Sequence, residues 1–141
     1  MYASPQAFRS MSRIAGMYTD VGVQGAVSDS SGHALISMLF DGALASLAQA
    51  RGALAAGALE VKARATAKAA RIVGEGLRAS LNLKDGGSIA SDLDSLYSYI
   101  EIRLTQANLQ NDDAGLEECV RLLKPLADAW AHIAPQVRHG N

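Results

Sequence analysis

Between Ser31 and Leu54 the apolar residues Ile36, Leu39, Phe40, Ala43, Leu47, Ala50 and Leu54 recur at intervals of three and four. That spacing gathers side chains on one face of an α-helix and has no counterpart in the two-residue repeat of a strand. A helix with such a stripe must find other helices or a sheet to cover it. A second apolar group on the same segment, Leu35, Met38, Leu44 and Ala45, lies off the stripe. The helix is therefore greasier than one buried face requires. Asp41 and Gly42 interrupt it. A mid-helix glycine costs about 1 kcal/mol relative to alanine, and close approach by another backbone is one physical reason to keep it. The segment reads as both a bundle wall and part of a docking surface.

The remaining chain supplies partners of the same kind. A second helix is expected at about 60–84, with Val61, Ala65, Ala69, Ile72, Gly76, Ala79 and Leu83 as its stripe. Its basic residues, Lys62, Arg64, Lys68, Arg71 and Arg78, are expected on solvated faces. A third helix at about 88–109, capped by Ser88, carries Ile89, Leu93, Leu96, Tyr97, Ile100, Leu104 and Ala107 toward the core. It leaves Tyr99, Ile102 and Leu109 on a separate line. The fourth, at about 112–137, repeats Leu116, Leu123, Trp130 and Val137 every seventh residue, which is a bundle seam. Asp112 or Asp113 can cap it, and Pro125 is expected to bend it without ending it. Short loops between long helices predict an all-α fold, an antiparallel up-down four-helix bundle over residues 31–138. The preceding residues 1–30 read as an N-terminal extension, partly flexible or packed on the bundle, with a short extra helix possible after Ser4-Pro5.

Few kinds of chemistry fit this sequence. A net charge of −1 provides no electrostatic footprint for nucleic acid, and no apolar run is long enough to insert in a membrane. The single cysteine, Cys119, suits a reducing, cytoplasmic compartment and a buried apolar role. There is no phosphate-binding glycine loop and no paired Glu-x-x-His set for a metal. Asp128 and His132, four apart, read as a surface hydrogen bond. His33 is the one candidate for a phosphotransfer signalling bundle, but it lacks basic neighbours to hold a phosphoryl group. The residues point to a binding module with no catalytic, metal or cofactor site. Its surplus apolar lines on the first and third helices resemble a groove for a partner segment, for the 1–30 leader, or for a second copy in a homodimer.

The ordered motifs carry a family resemblance. Met-Tyr-Ala leads the chain, followed by Tyr18 with VGVQGAV and by SMLFDGALASLAQA at 37–50. Then come GLRASLN at 76–82, LYSYIEIRLTQANLQND at 96–112 and LADAW at 126–130. With these the chain resembles the FliS family of flagellar export chaperones. The resemblance implies a cytosolic helical bundle that binds the disordered C-terminal segment of flagellin. It also implies that this binding prevents premature polymerisation and assists delivery to the export gate protein FlhA. Carried over by motif, the flagellin-binding candidates are Met38, Phe40, Asp41, Gly42 and Leu44 on the first helix. Tyr97, Tyr99 and Arg103 follow on the third, and Asn108, Asn111 and Asp112 in the polar turn after it. Tyr2, Phe8 and Tyr18 would belong to a segment that covers part of this surface.

Overall fold

The computed structural model describes residues 29–132, which form four helices and no strand. The expected extension with Tyr2, Phe8 and Tyr18, and the residues after His132, lie outside the described residues.

Helix α1 spans Asp29–Ala55. It ends in a Schellman turn: Gly57 takes φ +75°, Gly57 N–H donates to the Leu54 carbonyl and Ala58 N–H to that of Ala53. Helix α2 begins at Leu59 and is α-helical to Arg71, then widens into a π-helical segment, Ile72–Arg78. The uniform helix expected to residue 84 is therefore wrong in pitch and in length. The wider turns press Gly76 against α1, where an added Cβ would stand 3.0 Å from both methyls of the buried Leu39. Helix α3 spans Gly87–Gln110, preceded by Gly86 as its cap, so the expected cap Ser88 lies inside the helix. It ends with Asn111 in the left-handed region at φ 52°, a second Schellman turn closed by Asp112 N–H on the Ala107 carbonyl. Helix α4 spans Asp113–His132 and runs through Pro125 unbroken. Asp112 caps it, its carboxylate accepting from Ala114 N–H at 3.1 Å.

Antiparallel order follows from which ends meet. The start of α1 touches the end of α4 through His33 and Trp130, while its end reaches the start of α4 through Arg51 and Asp113. Lys62 early in α2 meets Asn108 late in α3, and Arg78 late in α2 meets Asp94 early in α3. Each helix packs against two neighbours, so α1 and α3 stand diagonally across the bundle and share no helix–helix contact. The predicted stripes fill the centre: Ile36, Leu39, Phe40, Ala43, Leu47 and Ala50 from α1 meet Ala65, Ala69, Ile72, Val73 and Leu77 from α2. Ile100 and Leu104 from α3, with Leu116, Cys119 and Leu123 from α4, complete it. Ile89, expected in this core, is exposed, and Leu83 beyond the π segment is exposed too.

Candidate binding surface

The diagonal placement of α1 and α3 keeps their surplus apolar lines from forming one groove between adjacent helices. The core stripes of these two helices, and not the surplus lines, meet at the end of the bundle where α1 begins and α4 finishes. There Ile36 and Phe40, Leu77, Leu93 and Tyr97, and Trp130 line an apolar cavity of about 130 Å³. Phe40 and Tyr97 are thus buried members of its wall. The Tyr97 hydroxyl has no hydrogen-bond partner among the described residues, and burial pushes its ionisation upward.

One rim of this cavity is tied shut by His33 and Trp130. Their rings stack at 4.6 Å with 9° between planes. Because a carbonyl only accepts, the 2.9 Å contact of His33 Nε2 with the Trp130 carbonyl fixes the proton on Nε2. Trp130 Nε1 donates in return to the His33 carbonyl at 3.0 Å. His33, only 7% exposed, is a core histidine joining α1 to α4. It therefore lacks the exposure that phosphotransfer would need.

Along the outside of α3, Tyr99, Ile102 and Leu109 remain exposed, Ile102 at 57% and Leu109 at 84%. This is the separate line read from the sequence. Of the α1 surplus, Met38 is exposed and Leu44 half-buried against the core, whereas Leu35 is buried. Asp41 is exposed. The space beside Gly42 belongs to α2: a Cβ there would stand 3.4 Å from Ile72 Cδ1.

Polar groups fix the α3–α4 face. Arg103 Nε donates to Glu118 at 2.8 Å and its Nη2 to Asp112 at 3.2 Å, while the Tyr99 hydroxyl donates to the other Glu118 oxygen. Gly115 makes room for this arginine, since a Cβ there would lie 2.7 Å from Arg103 Nη1. The hydrogen bond from Tyr99, then the one from Arg103, holds the Glu118 carboxyl below its ordinary range, and the same bond to Glu118 raises the Tyr99 phenol. Arg103 and Asp112 are therefore committed to the bundle. Asn108 and Asn111 stand with the exposed Leu109 at the turn that ends α3.

The residue that sequence reasoning missed is Lys62. Assigned to a solvated face, it is 4% exposed and donates to the carbonyl and the side-chain oxygen of Asn108, at 2.8 and 2.6 Å. No pattern within α2 announces this, because it depends on where α3 happens to end. Arg78 also departs from the solvated reading: half-buried, it bridges Asp94 and Glu101. Asp128 pairs with Lys124 and not with His132. Among the described residues, no group of three or more His, Cys, Asp or Glu is placed to hold a metal, and no helix is long and apolar enough to cross a membrane.

Comparison with known proteins shows what this chain is similar to. The family model described as flagellar protein FliS matches residues 14–137. The flagellar secretion chaperone FliS of Salmonella typhimurium is 45% identical over 119 residues, covering 84% of this chain and 88% of that protein. FliSB of Pseudomonas aeruginosa is 40% identical over 117 residues (83% and 92%), and FliS of Vibrio cholerae is 35% identical over 119 residues (84% and 87%). A match of that extent, on a four-helix bundle whose third helix turns apolar side chains outward, places this chain in the FliS family.

Proposed function

We propose that the protein is a cytoplasmic flagellin chaperone. It binds the disordered C-terminal segment of flagellin, keeps it from polymerising, and assists its delivery to the type III export gate protein FlhA. The observation that carries this reading is the exposed line Tyr99, Ile102 and Leu109 on α3, which ends at an amide-rich turn. Monomeric proteins seldom leave such lines uncovered without a partner. A disordered segment suits the arrangement better than a compact one. Met38 on α1 and the α3 line lie on diagonal helices, so a single partner reaches both only by wrapping around the bundle. Chains that fold on binding spread modest contacts over such long surfaces. In the absence of flagellin the same α3 line offers a surface for homodimerisation.

Calorimetry with intact flagellin and with flagellin lacking its C-terminal segment tests the reading. The expected result is a one-to-one complex with the intact protein and no measurable heat with the truncated one. Equal affinity for both rejects this binding mode.

A further inference from the structure

We infer that Lys62 is a positioning residue for the peptide-binding turn, and that this turn reads the partner's backbone carbonyls through the side-chain amide of Asn108. The inference rests on the flagellin-chaperone reading and adds to it a residue and a direction of hydrogen bonding. An ammonium group has three donors and no acceptor. Lys62 spends two of them on Asn108, one on the main-chain carbonyl and one on the side-chain oxygen. The second contact allows only one orientation of the amide: Oδ1 faces Lys62, and Nδ2 with both its hydrogens is turned away. Without Lys62 the two orientations would be close in energy, and half of the population would present an acceptor where a donor now stands.

The neighbouring groups narrow the purpose. Asp112 is consumed by Arg103 and by the cap of α4. The Asn108 carbonyl accepts from Lys62 and from Asn111 N–H. Of this polar turn, Asn108 Nδ2 and the Asn111 side chain are left without a partner among the described residues, beside Leu109 at 84% exposure. A fixed amide donor next to an exposed leucine matches an extended peptide, which offers a carbonyl and an apolar side chain at short intervals. Lys62 meets no carboxylate within ion-pair distance among the described residues. The carbonyl end of α3 compensates its buried charge, so Lys62 cannot be exchanged for an apolar residue without releasing the amide.

The test uses the full-length protein and a peptide of the flagellin C-terminal segment, titrated by calorimetry at high ionic strength. Asn108→Asp keeps the acceptor for Lys62 and removes only the donor, and the salt screens the charge it introduces. The expected result is unchanged or raised thermal stability with affinity reduced about tenfold, the value of one well-placed hydrogen bond. Lys62→Met, which frees the amide, is expected to weaken binding about twofold, because half of the population then presents the acceptor. In the wild type, the Asn108 side-chain amide protons should shift and gain protection from exchange when the peptide is added. Full affinity in Asn108→Asp, or an amide signal that the peptide leaves unmoved, overturns the inference. Failure of the wild-type protein to bind the peptide overturns the chaperone reading instead.

Discussion

Cys119 illustrates how a single residue's chemistry is set by its packing. It is fully buried between α3 and α4, its thiol directed at the Ile100 carbonyl, and burial pushes its pKa up to about 12. Since only the thiolate attacks an alkylating reagent, the native protein should resist modification for hours at neutral pH. It should react fully once denatured, and a thiol titration with and without denaturant checks this. Rapid modification of the native protein would mean that the α3–α4 seam opens readily. Cys119 was legible in the sequence because it sits beside a heptad stripe, and a stripe fixes its own inward side. Lys62 and His33 were not legible. Each is buried by one partner on a helix far away in the chain, at Asn108 and Trp130, and helical periodicity carries no information about where another helix ends.

The helices show the same division. The stripes of α1 and α4 repeat over whole heptads, and Ile36, Leu39, Phe40, Ala43, Leu47 and Ala50, with Leu116, Leu123 and Trp130, fill the core as they predict. Leu54 is half-buried against it, and Val137 lies outside the described residues. Cap positions were harder to read. Ser88 resembles an N-cap, yet packing carries α3 past it, and tertiary contacts outweigh a cap's typical contribution of about 1 kcal/mol. The π segment gives no apolar signal beyond the pair Gly74 and Gly76. Helix α4 persists through Pro125 because the seam on both sides, Leu116 and Leu123 before it and Trp130 after it, is buried. Proline lacks the N–H that would satisfy the Arg121 carbonyl, and both residues are exposed, which leaves that carbonyl near solvent. Pro125→Ala should therefore stabilise the protein by about 1–3 kcal/mol, read from denaturant unfolding. A loss of stability would show that Pro125 sets a bend on which the packing of Trp130 depends.

For the whole molecule, the bundle's two kinds of surface answer to different conditions. The Tyr99–Glu118–Arg103–Asp112 network joins α3 to α4, and the pair of Arg51 with Asp113 joins α1 to α4. Hydrogen bonds lower the carboxyls of Glu118 and Asp113, Tyr99 leading at the first and Arg51 at the second. A carboxyl lowered in the folded state contributes stability that is present above its unfolded value. That contribution is lost as pH falls through the folded value. Melting temperature should thus decline in acid, starting from about the ordinary glutamate value of 4.5. Glu118→Gln should flatten part of that decline, and an identical pH profile for the variant would remove Glu118 from the account.

The apolar exterior, by contrast, contributes nothing to the fold and should matter only to the partner. Ile102 and Leu109 stand outward from α3, and replacing both by serine should leave unfolding within about 0.5 kcal/mol of wild type. The decisive measurement is the affinity of that double variant for the flagellin C-terminal segment, determined by calorimetry alongside its melting curve. The account predicts native melting with binding weakened at least about tenfold; native melting with undiminished affinity would contradict it.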